Sequence, residues 1–425
     1  MSKPTGIGKI QELSRKGKNG IRRKALLFNF DIDGDQIKDE HKLWLDQNIV
    51  PLLNNVGLVI NLRGLASRSG SAAHNKALSD RRVGSVKQFL TAKGGNPGQF
   101  QMEAVGESDA EIAGQTDGTE DETFRGVVVT VASRGRNTKV EFEQVFFHHK
   151  ENGFDATTTP RWLMVPIEAL SREIRVVNGA GFRIRSRNTG IALVASFPAS
   201  LPLAHLTADD EVIRIKGRTP GNTNIDVLDS DGNVVATLEV AVCARLKVQA
   251  AFHYVKHSGI GTTRKIGEEA AMLRVVNRIY LPQANIEFVS MLARDLPLTD
   301  GFGNELNEAG TLANGQNEWE VLTRNRSAGA RFNVFFVREL EQGAAEGAGS
   351  DTADALATIG GLDCVFEDDA GVDVGESLAH EAGHSLGCRH NTPITSSIDM
   401  LMWDTTDQRG RFIPKLHVLL MRSKV

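Results

Sequence analysis

The sequence predicts a multidomain protein: an α+β unit at the N-terminus, an all-β domain in the middle and an α/β domain at the C-terminus. Its 425 residues exceed one ordinary hydrophobic core. The first and last parts mix short apolar strands with segments of helical periodicity, whereas the middle part contains only short alternating segments separated by turns. The composition is globular, and a formal net charge of −4 gives no argument for nucleic-acid or membrane binding.

The first 24 residues form a basic segment, with eight lysines and arginines against the single acidic residue Glu12. We expect a solvated arm here, with docking to an acidic partner as the alternative. The apolar run that follows is too short for a signal-peptide core, and no stretch is long enough to cross a membrane. We therefore expect no signal peptide and no transmembrane segment. The expected location is the cytoplasm of the producing cell. Export by a non-classical or contractile injection route is the alternative.

Residues 25–135 read as one compact α/β unit. The predicted strands and helices alternate in a simple order. They are a strand at 25–30, a helix at 35–53, a strand at 57–63, a helix at 71–93, and strands at 101–105 and 126–131.

Within this unit, the loop 64–70 leads into a helix that carries Asn75, Leu78, Ser79 and Arg82. This spacing resembles the OmpA-like peptidoglycan-binding family. The resemblance implies an α+β domain that holds the peptide stem of peptidoglycan with a loop aspartate and a helix arginine.

Arg82 stands at the position of the family's arginine and Asn75 at that of its asparagine, but Ser67 stands where the aspartate is expected. The missing carboxylate removes a charge-assisted hydrogen bond to a ligand ammonium. Two readings follow: the domain retains peptidoglycan binding, or it serves as a docking module without that ligand.

Residues 136–160 are predicted to form a linker with one strand, and residues 161–245 an all-β domain. The predicted strands are 174–177, 182–184, 191–196, 211–216, 224–228 and 234–242. The segments 212–217, 221–223 and 240–242 resemble a bacterial Ig-like domain, which implies a β-sandwich. We see no chemistry in this domain and expect a spacer.

The C-terminal domain is expected at residues 246–425. Its predicted elements surround one helix near the end of the chain. They are strands at 246–254 and 331–337 and helices at 266–280, 377–387 and 411–423.

The segment from His380 to His390 carries the candidate chemistry. His380 and His384 lie four residues apart, so a helix places both on one face, where they can share a metal ion. Gly387 can end that helix in a left-handed turn and return the chain, so that His390 becomes a third ligand. Three imidazoles with an open fourth position are typical of a catalytic zinc site. Glu381 is placed to accept a proton from a metal-activated water.

The pattern H-E-x-x-H-x-x-G-x-x-H resembles the metzincin family of zinc endopeptidases at every fixed position. The resemblance implies a strand at 283–288 and an antiparallel edge strand at 358–366, ahead of the active-site helix. It also implies one catalytic Zn²⁺ on His380, His384 and His390, and a methionine on a tight turn beneath the metal. A preceding leucine favours Met402 for that position, with Met400 as the alternative. Cys388 lies inside the motif and is either a competing ligand or a packed core residue.

The sequence therefore predicts a zinc-dependent endopeptidase with Glu381 as general base, acting on a protein or peptide substrate and targeted by the OmpA-like module. One alternative is a non-enzymatic component of a cell envelope or injection particle that binds peptidoglycan through that module. Another is a peptidoglycan-directed amidase or peptidase with the same zinc chemistry. Nucleic acid is not expected as a partner.

Overall fold

The computed structural model describes residues 3–13, 21–133, 139–145, 152–169, 171–196, 209–341, 355–368, 374–390, 400–402 and 410–425. The chain divides into two compact units. Unit 1 comprises residues 1–148 and 156–243, and unit 2 comprises residues 149–155 and 244–425. No helix in the described residues is long and apolar enough to span a membrane.

Unit 1 begins with a five-stranded sheet. Its strands are β1 (Lys9–Glu12), β2 (Ile21–Phe28), β3 (Leu58–Leu65), β4 (Phe100–Ala104) and β5 (Gly126–Ser133). The order is β1-β2-β5-β3-β4, with β3 and β4 parallel and the other pairs antiparallel. The helices of this part are α1 (Asp39–Asn48), α2 (Ala72–Ala92) and α3 (Ser108–Ile112), with 3-10 turns at Val50–Leu52, Pro97–Gln99 and Glu122–Phe124.

The core of this α/β domain is the apolar face of the sheet packed against α1 and α2. Leu45 and Ile49 at the end of α1, and Val83, Val86 and Leu90 on α2, all lie in it and are buried. The positions on α2 recur at helical spacing, as the sequence predicts. Ser71 begins α2 by accepting a hydrogen bond from the backbone N–H of His74 at 3.3 Å.

The basic N-terminal segment is not wholly a solvated arm, so that expectation is wrong. Lys9–Glu12 pairs with β2 as an antiparallel strand, and a bridge joins Lys3 to Ile32. Strand β2 also begins at Ile21, ahead of the predicted start at residue 25. The free edge of β2 offers backbone hydrogen bonds that hold a strand despite its charged side chains.

The rest of unit 1 is built from two further sheets. Their strands are β6 (Glu141–Gln144), β8 (Arg161–Pro166), β9 (Arg172–Val177), β10 (Arg183–Ser186), β11 (Ala192–Ser196), β12 (Glu211–Gly217), β13 (Gly221–Leu228) and β14 (Val234–Cys243); β7 (Phe154–Asp155) falls in unit 2. One sheet has the order β10-β13-β14-β8 and the other β11-β12-β9-β6. The sheets contact each other through β12 with β8 and β14 with β6.

All six predicted strands of this region are present, and two features differ from expectation. Strand β6 pairs with β9, so this part of the predicted linker belongs to a sheet. Strand β8 was not predicted, because Trp162–Val165 is a continuous buried run without the alternation of a half-exposed strand. The region is sheet-rich as predicted, and the finer Ig-like assignment stays a prediction.

Unit 2 is organised around a five-stranded sheet. Its strands are β15 (Leu246–Lys256), β16 (Ile286–Pro297), β18 (Phe332–Phe336), β20 (Ala355–Ala357) and β21 (Asp363–Phe366). The order is β16-β15-β18-β21-β20, parallel except for the edge strand β20. The other elements are β17 (Leu306–Asn307), β19 (Leu340–Glu341), α4 (Glu269–Ala284), α5 (Glu318–Thr323), α6 (Val374–Ser385) and α7 (Lys415–Arg422).

The predicted single edge strand at 358–366 is wrong in detail. The chain forms a hairpin there: a turn at Ile359 and Gly360, closed by the hydrogen bond from the Gly361 N–H to Thr358 O, separates β20 from β21. The antiparallel edge is β20, whereas β21 lies inside the sheet and pairs in parallel with β18. Gly360 has a φ of +72°, a left-handed conformation that breaks a continuous strand.

Candidate metal centre

Helix α6 presents His380 and His384 from one face, one turn apart. Both are buried, at 1% and 7% exposure. Beyond the helix, Gly387 has a φ of +92°. Its N–H donates to His384 O at 2.8 Å, and the Cys388 N–H donates to Gly383 O at 2.9 Å. This pair of bonds is a Schellman motif, which reverses the chain and brings the exposed His390 back toward the helix.

The three imidazoles converge on one point. His390 Nε2 lies 3.1 Å from His380 Nε2 and 3.0 Å from His384 Nε2. The ligand atoms of all three residues lie within 4.8 Å of one another. Among the described residues, this is the one group of three or more metal-ligating side chains so arranged.

Backbone carbonyls orient two of these rings. His380 Nδ1 lies 2.8 Å from Leu401 O, and His384 Nδ1 lies 2.8 Å from Cys388 O. A carbonyl oxygen only accepts hydrogen bonds, so each Nδ1 carries the proton and each Nε2 presents a lone pair toward the shared point. Histidines that bind metals are held by outer partners of this kind.

The donor set fits zinc. Two nitrogens bound to a tetrahedral Zn²⁺ at roughly 2.0–2.1 Å are about 3.3 Å apart, close to the Nε2 separations of 3.0 and 3.1 Å. Converging lone pairs repel one another unless a cation or a proton lies between them. The three imidazoles are therefore spaced as the ligands of one metal ion would be.

Glu381 lies beside the ligands in α6 and is 6% exposed. Its neighbours Tyr280 and Cys364 are also buried. Burial raises the pKa of both groups, and the negative charge of Glu381 adds to the increase. Tyr280 and Cys364 are thus protonated and neutral at pH 7.

Met402 packs against helix α6. It is buried, and its side chain occupies the space beside Gly383 where a Cβ atom would stand. Met400 instead pairs through its backbone with Phe412. The structure therefore brings Met402, of the two candidates, against α6.

Cys388 contributes its backbone rather than its thiol. The side chain is buried, and burial raises the pKa of the thiol to about 12. Its carbonyl accepts the hydrogen bond from His384. The cluster of metal-ligating atoms contains the three imidazoles and not this thiol, which favours a packed core residue over a competing ligand.

The residues predicted to bind ligand in the α/β domain are engaged in internal contacts. Arg82 is fully buried, and its guanidinium donates to the carbonyls of Gly34, Leu65 and Asp31 at 2.9, 3.0 and 3.2 Å. Burial and the nearby positive charge of Arg125 lower the pKa of Arg82 to about 10. The structure therefore gives Arg82 a role in joining three backbone segments.

Asn75 and Ser67 are also buried. Asn75 Nδ2 donates to Gly70 O at 3.1 Å and to Glu107 Oε2 at 2.5 Å. Ser67 Oγ donates to Glu120 Oε2 at 3.0 Å. Neither side chain lies open on the surface.

Glu120 places a carboxylate beside Ser67. It is hydrogen-bonded to Ser67 and ion-paired with Arg125. Burial opposes ionisation, but the hydrogen bonds from Ser69, Arg125 and Ser67 lower the pKa of Glu120 overall. The loop after α3 thus supplies a negative charge at a point where the motif has only a serine.

Sequence reasoning missed the partners that orient the site. Leu401 and Cys388 act through backbone carbonyls, which no residue pattern reveals. Tyr280 donates to Ala379 O at 2.7 Å and ties α4 to α6. A buried tyrosine on an amphipathic helix was the available signal, since such a hydroxyl needs a partner.

Comparison with known proteins bears on the N-terminal region. Residues 29–123 match the OmpA family model. The peptidoglycan-associated lipoprotein of Pseudomonas putida is 31% identical over 85 residues, which is 20% of this chain and 51% of that protein. The chain thus spans about half the length of this curated relative.

Two solved structures are also similar to part of the chain. The peptidoglycan-associated lipoprotein from Burkholderia pseudomallei has 20% identity and a TM-score of 0.22, over 27% of this chain and 91% of that one. The OmpA-like domain of FopA1 from Francisella tularensis subsp. tularensis SCHU S4 has 16% identity and a TM-score of 0.23, over 31% and 95%. From the family match, the N-terminal region of this multidomain chain carries an OmpA-like domain.

Proposed function

We propose that unit 2 is a zinc-dependent peptidase with His380, His384 and His390 as metal ligands and Glu381 as general base. The observation that carries this proposal is the convergence of three Nε2 atoms, two of them oriented by carbonyls bonded to Nδ1. When bound, zinc polarises the scissile carbonyl and increases the acidity of water.

The protein's own residues supply the proton transfers and the substrate alignment. Glu381, held in a buried helix next to His380, accepts a proton from the attacking water and passes it to the leaving amine. Strand β20 is at the edge of the sheet, so it can pair with an extended peptide through its backbone. These features favour an extended polypeptide as substrate.

The test compares the full-length protein with Glu381→Gln and with the matched surface control Glu320→Gln. Bound zinc is quantified by mass spectrometry, and cleavage is followed on a mixed peptide library. We expect near-stoichiometric zinc in all three proteins and cleavage lost in Glu381→Gln only. A wild-type protein that binds no zinc, or equal cleavage by Glu381→Gln, would contradict the proposal.

A second candidate function is peptidoglycan binding by the OmpA-like domain, as part of a non-enzymatic envelope or injection-particle component. The family match at residues 29–123 favours it, as does the name of the Pseudomonas putida relative. These comparisons support this candidate more directly than the peptidase, which rests on the motif and the geometry of its side chains. In this candidate function, Glu120 is the anionic group that Ser67 cannot provide.

The two candidates are separable by experiment. Purified sacculi are incubated with the full-length protein, with Glu120→Gln and with the control Glu122→Gln, whose side chain is half exposed and paired with Lys9. Selective loss of sedimentation for Glu120→Gln supports peptidoglycan binding, and no sedimentation of the wild type contradicts it. Release of peptide-stem fragments by the wild type, absent with Glu381→Gln, would instead identify a peptidoglycan-directed peptidase.

A further inference from the structure

The side-chain amide of Gln283, on α4, hydrogen-bonds to the backbone segment 411–413 through both its nitrogen and its oxygen. The side chain is fully buried. Nε2 donates to Arg411 O at 2.7 Å and to Ile279 O at 3.0 Å, while Oε1 accepts from the Ile413 N–H at 2.8 Å. The amide therefore pairs with the chain at 411–413 as a neighbouring strand would, and its three hydrogen bonds allow little freedom.

The residue between those two contacts connects the segment to the metal centre. Phe412 O accepts from the Leu401 N–H at 2.9 Å. Leu401 O in turn lies 2.8 Å from His380 Nδ1. A continuous series of hydrogen bonds thus runs from Gln283 through the backbone at 411–413 and Leu401 to His380.

An ion pair holds the same segment to the metal-bearing helix. Arg411 pairs with Glu376 in the first turn of α6. Gln283 joins this segment to α4, and Tyr280, one turn earlier on α4, donates to Ala379 O of α6. Helix α4 therefore positions both the helix that bears His380 and the turn that orients its ring.

We propose that Gln283 is a positioning residue for the metal centre. It acts on His380 by fixing the position and orientation of the Leu401 carbonyl, which contacts His380 Nδ1. This inference rests on the proposed metal site. An apolar side chain at position 283 leaves Arg411 O and the Ile413 N–H without their buried partner, so the segment must shift. The Leu401 carbonyl then moves relative to His380 Nδ1, and the three Nε2 atoms no longer converge as well.

Helix α4 also carries a matched control. Asn277 Nδ2 donates to Phe288 O at 2.9 Å, and Asn277 Oδ1 accepts from the Phe288 N–H at 2.7 Å. This amide pairs with a backbone in the same manner, but its partner is on β16 and not on the segment that contacts Leu401. Asn277→Leu therefore measures the stability lost when α4 loses an amide–backbone pair. It leaves the Leu401 carbonyl, which contacts His380, in place.

The experiment uses metal-stripped full-length protein titrated with Zn²⁺ against a competing chelator and, separately, with Co²⁺ as a spectroscopic probe. For Gln283→Met we expect zinc binding weaker by about 10- to 100-fold, the range for lost outer partners of metal ligands, together with altered Co²⁺ absorption bands. Gln283→Glu keeps the acceptor for Ile413 and loses the donor to Arg411, so it serves if Gln283→Met does not fold. Asn277→Leu should lower thermal stability and leave metal affinity and spectrum unchanged.

The outcomes separate this inference from the function on which it rests. If the wild type binds neither Zn²⁺ nor Co²⁺, the proposed metal site and the positioning role of Gln283 are both contradicted. If the wild type binds metal and the folded Gln283 variants show its affinity and spectrum, only the positioning role is overturned. A loss of affinity in Asn277→Leu equal to that in Gln283→Met would also overturn it, because the effect would then come from general loosening of α4.

Discussion

Met402 and Gly383 are in direct contact, although 19 positions separate them in the sequence. The thioether fills the space where a side chain at position 383 would begin, with its Cε atom 3.3 Å from the site of a Cβ. Gly383 lies between the two histidines of α6, and Met402 follows the residue whose carbonyl orients His380. The contact therefore sets the spacing between α6 and the turn that contains Leu401 and Met402.

Gly383→Ala should destabilise unit 2 by about 1–3 kcal/mol, because the added methyl overlaps the Met402 side chain. Met402→Ala should also destabilise it, by roughly 2–5 kcal/mol, through the cavity it leaves. The double variant should cost less than the sum, since the smaller residue at 402 makes room for the methyl. Chemical unfolding of the four proteins measures the coupling, and simple additivity would refute the contact.

Zinc should raise the unfolding temperature of unit 2, because an ion held by His380, His384 and His390 would stabilise only the folded chain, where these side chains converge. At about 1,000 times Kd the expected stabilisation is about 4 kcal/mol. Differential scanning calorimetry after chelation and zinc return measures the change. His384→Ala should abolish the zinc-dependent shift, whereas His74→Ala, on the exposed start of α2, should retain it. A shift that persists in His384→Ala would locate the zinc elsewhere.

His253 should make unit 2 sensitive to acid. Arg294 Nε donates to its Nδ1 at 3.1 Å, and its Nε2 lies 3.2 Å from Asn333 Oδ1. Burial, aided by the charge of Arg294, lowers the pKa of His253 to about 4. The unfolded chain takes up a proton near pH 6.5 and the folded chain does not. The stabilising contribution is therefore complete above pH 6.5 and is lost as the pH falls toward 4.

Urea unfolding at pH 7.5 and pH 5 tests this expectation. His253→Gln removes the titrating group, so the stability difference between wild type and variant should shrink by about 2 kcal/mol on going to pH 5. His257→Gln, at a half-buried position just beyond β15, is the control. A wild-type to His253→Gln difference that does not change with pH would show that His253 does not carry the acid sensitivity.

Arg82→Met should destabilise the OmpA-like domain by roughly 3 kcal/mol, because three backbone carbonyls lose a charged donor. Arg81→Met, at the neighbouring exposed position, should cost less than about 0.5 kcal/mol. Thermal unfolding of unit 1 provides the comparison. Unchanged stability of Arg82→Met, with binding to sacculi lost, would restore Arg82 as a ligand-binding residue.

Local signals predicted the elements whose boundaries depend on nearby residues. Helix α2 was expected at 71–93 and runs from Ala72 to Ala92, because Ser71 caps it and its apolar positions recur at helical spacing. Strand β8 gave no such signal, because it is buried along its length. The sequence pattern also does not predict that β1 pairs with β2, because charged residues in a short edge strand resemble those of a solvated arm.

The candidate metal site likewise combines features that follow from local sequence with features that depend on distant segments. The spacing of His380, His384 and His390 needs only helix geometry and one left-handed glycine, both of which are local properties of the chain. The carbonyl of Leu401 that orients His380, and the amide of Gln283 behind it, come from distant parts of the sequence. Their roles depend on which backbone atoms packing brings together.

The sequence by itself determined the spacing of the three histidines and Glu381, and the OmpA-like motif, because these are patterns of side-chain type at fixed local spacing. Only the tertiary structure decided that Met402 packs against Gly383 and that Glu120 brings a carboxylate to Ser67. It also decided that the Arg82 guanidinium donates its hydrogen bonds to backbone carbonyls. Such contacts join segments far apart in the chain. Their geometry follows from burial and from the need to satisfy buried polar groups, and residue spacing alone does not encode it.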